Sequence, residues 1–174
     1  KLPIPYRAVA TNIKNGDAIV LKSGSLAKSI YASSSIPGGF QPINIDGLEL
    51  VDGGVSDNIP IKVAKDMGAD IIIAVDVSEN FDTDLTVDSY FVVMEQLVNI
   101  LMRKNANESI KSLDEDDILL IPNLKGISGL DVEKYQEIIE AGKEVAKSAQ
   151  SALEKLSVSD TDYEAYKSRH RVLK

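Results

Sequence analysis

The stretch LVDGGVSDNIP, residues 50–60, carries the most informative pattern in the chain. Its apolar start is typical of a strand that ends at Asp52, and Gly53 and Gly54 let the backbone turn sharply and clear space for a substrate or a second catalytic residue. Pro60 suits the first turn of a following helix, because its missing N–H would be unpaired there. In open α/β sheets, catalytic side chains gather at the carboxyl ends of strands. The pattern makes Asp52 a candidate catalytic residue, with an ordinary Asp-Gly turn as the alternative.

Downstream of this stretch, the pattern predicts the unit of a parallel α/β sheet. The helix that starts near 58–60 should end at Gly68, a residue suited to the left-handed position after the last turn. The β-branched run at 71–75 is typical of a strand buried on both faces. An acidic run at 114–117 predicts a solvated turn, and the apolar residues at 118–121 predict a second buried strand.

Upstream, two turn signals predict hairpins. Asn15-Gly16 separates strand-like segments at 6–13 and 17–22, and Asp46-Gly47 divides the segment 43–51 into two short strands. Between them, a helix over 25–35 is stopped by the Pro-Gly-Gly that follows. We expect the apolar residues of this helix to lie towards one side, and these are Leu26, Ile30 and Ala32.

The second half of the chain is predicted to be mainly helical, with helices over 87–107, 131–156 and 160–171. The 131–156 helix carries an apolar stripe that predicts core packing, made of Ile138, Val145, Ala149, Leu153 and Leu156. In the short polar helix that follows, Tyr163 and Tyr166 are expected to pack back. We therefore divide the chain into one α/β unit at 1–156 and a C-terminal polar helix or linker at 157–174.

Four segments of the chain resemble bacterial patatin-like phospholipases. They are ASSSIPGGFQP at 32–42, VDGG at 51–54, NIP at 58–60 and MGADIIIAVDV at 67–77, in the order expected of that family. The resemblance implies a three-layer α/β/α fold with a mainly parallel sheet, of which this chain is the C-terminal half. It also implies a lipid acyl hydrolase, a phospholipase or esterase, that uses a Ser-Asp dyad without histidine.

The resemblance assigns the role of general base to Asp52, with Gly53 and Gly54 forming the turn beside it and Asn58 in support. The site wall would consist of Ser33, Ser35, Pro37 and Phe40. The family's nucleophile lies in an upstream Gly-x-Ser-x-Gly elbow, and the nearest string here, GISG at 126–129, has the wrong spacing. We expect this chain alone to be inactive without the upstream half of its domain. The alternative is a non-catalytic patatin-like module that binds lipid or a partner.

Composition limits the partners further. The net charge of −8 disfavours a nucleic-acid surface, and no carboxylate cluster has metal-loop spacing, so neither a metal nor a cofactor is predicted. The absence of cysteine fits a cytoplasmic or an exported protein equally. We favour a solvated segment or linker over contact with a membrane surface for the basic tail at 167–174. That tail holds the one histidine, His170, which is poorly placed for a positioned base.

Overall fold

The computed structural model describes residues 2, 4–78, 89–127 and 131–169. Its first half contains a four-stranded antiparallel sheet in the order β2-β1-β4-β3. The strands are β1 (Ala8–Asn12), β2 (Ala18–Leu21), β3 (Ile43–Ile45) and β4 (Leu48–Asp52). All five residues of β1 are buried, so this strand forms the centre of the sheet.

Both predicted hairpins are confirmed. Gly16 adopts a φ of 80° in the first turn, and Asp46 and Gly47 adopt φ angles of 52° and 84° in the second. Two successive positive φ angles match the right-handed twist of the flanking strands, which is why such turns favour hairpins. These turns make β1 and β2, and likewise β3 and β4, run antiparallel.

Helix α1 (Leu26–Ser33) packs on this sheet through small residues. Ala32 is fully buried with Ala10 of β1 and Leu50 of β4. The prediction that Leu26, Ile30 and Ala32 share one side is wrong, because Leu26 and Ile30 are 42 and 49 % exposed while Ala32 is buried. The helix is rotated so that Ala32 and Ser29 face inward, since small side chains allow a helix to approach closely.

The second half contains the predicted parallel pairing. After the short helix α2 (Gly54–Asp57), helix α3 (Ile61–Asp66) ends before Gly68, whose φ is 88°. The chain then enters β5 (Ile73–Val75), which pairs in parallel with β6 (Ile118–Leu120). The α/β fold class is confirmed. Among the described strands, the parallel sheet is represented by β5 and β6, since the hairpins make the larger sheet antiparallel.

The prediction that β5 is buried on both faces is wrong. Ile72 and Ala74 are 7 and 5 % exposed, and they pack with α3 and with helix α4 (Tyr90–Ile110). On the opposite face, Ile71, Ile73 and Val75 are 41, 48 and 49 % exposed. A half-buried strand is recognised by alternating apolar and polar residues, and this run has only apolar ones. The sequence therefore could not predict that the described helices cover one face of β5 alone.

The predicted helix over 131–156 is interrupted. A single 3₁₀ turn (Val132–Lys134) leads into α5 (Tyr135–Ser148), and α6 (Gln150–Glu154) follows a break at Ala149. No residue of α5 or α6 is buried, so the predicted core packing of this stripe is wrong within the described residues.

The final helix, α7 (Asp160–Arg169), is confirmed as polar. Tyr163 and Tyr166 are 52 and 42 % exposed rather than packed back, and the Lys167 ammonium lies 4.7 Å from the centre of the Tyr163 ring. In the described ranges, no helix combines the length and the apolar character that a membrane span requires.

Candidate functional site

Asp52 is the last residue of β4, and its backbone is held from two sides. Its N–H donates to the Ser35 carbonyl oxygen at 2.9 Å, and the Thr11 hydroxyl donates to its carbonyl oxygen at 2.8 Å. Thr11 belongs to the buried central strand, and Ser35 follows α1. The position of Asp52 is therefore fixed by two other segments of the first half.

The Asp52 carboxylate lies half-buried beside the turn. Its Oδ1 accepts a hydrogen bond from the Gly54 N–H at 2.8 Å. Burial raises the pKa of the Asp52 carboxyl above its ordinary value, and the Gly54 N–H opposes that shift by stabilising the anion. A raised pKa increases the proton affinity of this carboxylate, which is the property that a general base requires.

Gly53 is required by the packing of the loop on β1. A Cβ at this position would lie 2.2 Å from the Val9 carbonyl oxygen and 2.6 Å from the Val9 carbonyl carbon. Both are backbone atoms of the central strand, so they cannot move without disturbing the sheet. The space beside Gly53 is thus filled by the protein itself, which corrects the expectation that this glycine clears room for a substrate.

Gly54 is enclosed by three side chains. A Cβ there would lie 2.2 Å from Met102 Cε, 2.6 Å from Asn58 Oδ1 and 3.1 Å from Asp52 Oδ1. The same residue begins the short helix α2, while the helix predicted to start near 58–60 is confirmed as α3, which follows Pro60. The close approach of Asn58 and Asp52 to one Cα explains why position 54 is a glycine.

The four predicted wall residues occupy different environments. Ser35 is buried, and its Oγ donates to the Tyr31 carbonyl oxygen at 2.6 Å while its own carbonyl holds Asp52. Ser33 is the half-buried last residue of α1, Pro37 is half-buried, and Phe40 is 47 % exposed. These three form no hydrogen bond with Asp52 in the described part of the chain. The structure therefore brings Ser35 to Asp52, through the backbone.

Helix α4 supplies contacts to the loop that the sequence did not predict. Asn105 Nδ2 donates to the Val55 carbonyl oxygen at 2.6 Å, and the Ser109 hydroxyl lies 3.0 Å from Asp57 Oδ1. Asp57 is consequently half-buried. Burial raises the pKa of its carboxyl, and the Ser109 hydrogen bond opposes this shift.

Asn58 connects the loop to the end of β5. Its Nδ2 donates to Ser78 Oγ at 2.9 Å, and Ser78 Oγ in turn donates to Asp76 Oδ1 at 2.5 Å. Asp76 is buried, and its Oδ2 accepts from Arg103 Nη1 of α4 at 2.8 Å. A second guanidinium nitrogen, Arg103 Nη2, donates to the Ser78 carbonyl oxygen at 2.7 Å. Ser78 and Arg103 lie outside the sequence segments that suggested the site. The spacing of motifs therefore could not predict this connection.

One cleft, of about 790 Å³, lies apart from the Asp52 loop. It is lined by Leu2, by residues 4–7 and 21–24, and by Leu26 and Ser29. None of the residues 50–60 lines it, so this cleft supplies no direct argument about Asp52.

In the described part of the chain, no serine hydroxyl donates to the Asp52 carboxylate, and no group of three or more acidic or histidine side chains is arranged to hold a metal ion. Ser56 Oγ, the nearest loop hydroxyl in sequence, lies 2.8 Å from Thr11 Oγ1. Ser128 and His170 lie outside the described residues, as do Arg171 and Lys174 of the basic tail.

Residues 3–65 match the family model described as patatin-like phospholipase. An uncharacterized NTE family protein of Mycobacterium tuberculosis is 43 % identical over 75 residues, which cover 43 % of this chain and 21 % of that protein. The patatin-like phospholipase domain-containing protein 7 of Mus musculus is 41 % identical over 85 residues, covering 48 % of this chain and 6 % of the mouse protein. The patatin-like phospholipase domain-containing protein 6 of Homo sapiens is 39 % identical over 85 residues, covering 48 % of this chain and 6 % of the human protein. The chain thus spans a small part of each of these relatives.

Proposed function

We propose that the chain is the aspartate-bearing part of a lipid acyl hydrolase, because residues 3–65 match the patatin-like phospholipase family model and resemble patatin-like relatives. Its substrate would be a carboxylic ester of a phospholipid or a related acyl lipid. The observation that carries the proposal is the Asp52 carboxylate, held at a strand end with a raised pKa and with no serine donor among the described residues.

In the proposed mechanism, Asp52 forms a dyad with a serine from the upstream half of the domain. The carboxylate takes the serine proton while the serine oxygen attacks the ester carbonyl carbon. Asp52 then returns that proton to the departing alkoxide, which leaves an acyl-serine. Water releases the acid by the same two proton transfers, and an alkoxide leaving group needs less protonation than an amine does.

The exposed face of β5 supports the proposal that an upstream half exists. Ile71, Ile73 and Val75 line one face of a strand whose other face is buried in a core. In parallel α/β sheets both faces are covered by helices. We propose that helices of the upstream half of the domain cover this face.

The experiment that tests the general base is the Asp52→Asn variant of the full-length protein. Asparagine keeps the shape and can still accept the Gly54 N–H, but it cannot accept the serine proton. Loss of a general base costs on the order of 10²–10⁴-fold in turnover, and more where base and nucleophile act as a unit. Hydrolysis of a nitrophenyl acyl ester should therefore fall by at least about 10²-fold, with an unchanged circular dichroism spectrum.

Asp57→Asn is the matched control, since Asp57 is also half-buried and also carries a raised pKa. Asparagine can still accept the Ser109 hydrogen bond, so this variant should keep most of the activity. An active Asp52→Asn together with an inactive Asp57→Asn would show that the assignment is wrong by five residues.

Two further measurements distinguish the proposed dyad from a nucleophile within this chain and from a triad that includes His170. The 174-residue chain alone should show no turnover above background, and turnover would mean that it contains a nucleophile. In the full-length protein, His170→Ala should change catalytic efficiency by no more than a few-fold. A loss near a thousandfold would indicate a triad with this histidine.

The alternative function, a non-catalytic module that binds lipid or a partner, gives the opposite pattern. The full-length protein would then sediment with phospholipid vesicles while hydrolysing no ester, and Asp52→Asn would sediment equally well. A lost serine in the upstream Gly-x-Ser-x-Gly would have the same meaning.

A further inference from the structure

A line of hydrogen bonds runs from helix α4 to the turn that holds Asp52. It begins at Arg103, whose side chain is 15 % exposed, and reaches Asp76, whose side chain is 1 % exposed. One guanidinium nitrogen of Arg103 donates a hydrogen bond to the Asp76 carboxylate, and the other donates to the Ser78 carbonyl oxygen. This fork fixes the end of β5 in both position and orientation, because the guanidinium is planar and rigid.

From there the line continues through two side chains. Asp76 Oδ1 accepts from both the backbone N–H and the hydroxyl of Ser78, at 2.9 and 2.5 Å. The Ser78 hydroxyl is thereby oriented to accept from Asn58 Nδ2 at 2.9 Å. With its amide nitrogen held by Ser78, Asn58 presents Oδ1 to Gly54.

The last contact reaches the carboxylate. Asn58 Oδ1 and Asp52 Oδ1 both lie beside Gly54, where a Cβ would be 2.6 Å from the first oxygen and 3.1 Å from the second. The N–H of the same glycine donates to Asp52 Oδ1. We therefore expect a rotation of the Asn58 side chain to alter the packing around Gly54, whose N–H orients the Asp52 carboxylate.

We propose that Arg103 is a positioning residue for Asp52 and acts through Asp76, Ser78 and Asn58. This inference rests on the proposed function and adds to it a set of residues, Arg103 and Ser78, that lie beyond the matched segment 3–65. A buried ion pair adds little net stability compared with well-packed apolar residues of similar volume. Its geometric effect is larger, since displacement of a reacting group by about 1 Å can cost on the order of 10²-fold in rate.

The test uses Ser78→Ala in the full-length protein, because this change breaks the line in its middle with little risk to the fold. Asp76 keeps Arg103 and the Ser78 N–H, while Asn58 loses its hydroxyl partner. Hydrolysis of a nitrophenyl acyl ester should show kcat lowered by about tenfold with KM within about twofold. The acid limb of kcat/KM, which reports ionisation of the general base, should move to lower pH as water gains access to Asp52.

Two conservative variants sharpen the result. Ser78→Thr keeps the hydroxyl and should restore kcat to within about twofold of the parent. Arg103→Lys keeps the charge but cannot grip two acceptors as a fork, so its kcat should lie between those of the parent and Ser78→Ala.

Ser109→Ala is the matched control, since it also removes a hydroxyl that hydrogen-bonds the loop. The bond lost is the one of 3.0 Å from Ser109 of α4 to Asp57. This variant should leave both kcat and the acid limb unchanged. Equal losses in Ser78→Ala and Ser109→Ala would overturn the inference, because general loosening of the loop would then explain both. Parental kcat and pH profile in Ser78→Ala would also overturn it.

Asp52→Asn, assayed in parallel, keeps the two proposals distinguishable. If Asp52→Asn is inactive and Ser78→Ala behaves as the parent, the positioning role is wrong and the general base stands. If Asp52→Asn is fully active, the general-base assignment is wrong, and the positioning role is wrong with it; if the parent protein hydrolyses no ester, the proposed function itself is wrong.

Discussion

The four-stranded sheet and the β5–β6 pair bury their strands to different extents. In the first, β1 is buried along all five residues, and α1 closes one face through Ala32. In the second, β5 is buried on the face towards α3 and α4, while its other face exposes Ile71, Ile73 and Val75. The hairpin sheet obtains its partners from neighbouring chain segments, whereas a parallel pair depends on elements further away.

The difference also separates the parts of the candidate site. Asp52 and Gly53 are fixed by β1 and by the backbone of Ser35, within the closed first region. Gly54 and Asn58 are fixed by α4 and the end of β5, in the region with the exposed face. The loop at 52–58 joins the two, so the site is sensitive to changes in either region.

The strongest way to break the closed region is Gly53→Ala. The new Cβ would lie 2.2 Å from the Val9 carbonyl oxygen, so either β1 or the loop must move. Overpacking of this kind typically destabilises a protein by about 1–3 kcal/mol and sometimes more. Because the new Cβ would meet backbone atoms of β1, we expect a loss of about 3 kcal/mol or more. The measurement is the midpoint of urea unfolding followed by circular dichroism.

Gly39→Ala is the control for this prediction. Its Cβ would meet the Ile36 carbonyl oxygen at 3.6 Å, an ordinary van der Waals contact, and its φ is not positive. The free energy of unfolding should change by no more than a typical surface substitution causes, about 0.5 kcal/mol. Comparable losses in both variants would contradict the packing of Gly53 on β1.

The two faces of β5 should respond differently to truncation. Ile72→Ala removes a side chain that is 7 % exposed, and buried isoleucine-to-alanine changes cost about 2–5 kcal/mol. Ile73→Ala removes one that is 48 % exposed, so in the 174-residue chain its cost should be about 1 kcal/mol or less. Urea unfolding of both variants measures this difference.

The same pair of variants in the full-length protein sharpens the comparison. If an upstream half covers the exposed face, Ile73→Ala should become nearly as costly as Ile72→Ala. A cost at position 73 that stays the same in both proteins would count against the proposed half-domain arrangement.

The smallest expected effect concerns pH. The folded pKa of Asp52 is raised by burial, so the folded state binds this proton more tightly than the unfolded state does. Stability therefore decreases as pH rises from the ordinary aspartate pKa through the raised folded pKa, and the loss is complete above it. Asp52→Asn removes this cost, so at pH 7 it should raise Tm slightly, by a few degrees at most because the group is partly exposed.

Thermal unfolding of parent and variant at several pH values measures this effect. The advantage of Asp52→Asn should disappear as pH falls below the ordinary aspartate pKa. Asp57→Asn should behave in the same direction, since burial also raises the pKa of Asp57. A variant less stable than the parent at pH 7 would show that the charged carboxylate is favoured by the fold.

Features set by neighbouring residues could be predicted from the sequence. The turns at Asn15-Gly16 and Asp46-Gly47, the helix end at Gly68 and the strand that ends at Asp52 each follow from the φ preferences of a few adjacent residues. Helix rotation and burial could not be predicted in this way. Ala32 rather than Ile30 faces the sheet, and the stripe on α5 and α6 is not buried, because both depend on where other elements pack.

For the candidate site, the sequence identified the loop but missed what surrounds it. The contacts of Met102, Asn105 and Ser109 connect positions about fifty residues apart, and no local spacing encodes such a distance. The burial of Asp57 could not be predicted for the same reason. The half-buried state of Asp57 is a property of α4 as much as of its own segment.

The contact between α4 and the loop has a consequence for how the protein is made. Asn105 follows Val55 by 50 residues, so a growing chain contains Asp52, Gly53 and the whole of β1 well before α4 has left the ribosome. The contacts at Gly54, Val55 and Asp57 come from α4, so they cannot form during that interval. The order of synthesis therefore delays the finished geometry until the chain is some fifty residues past its aspartate.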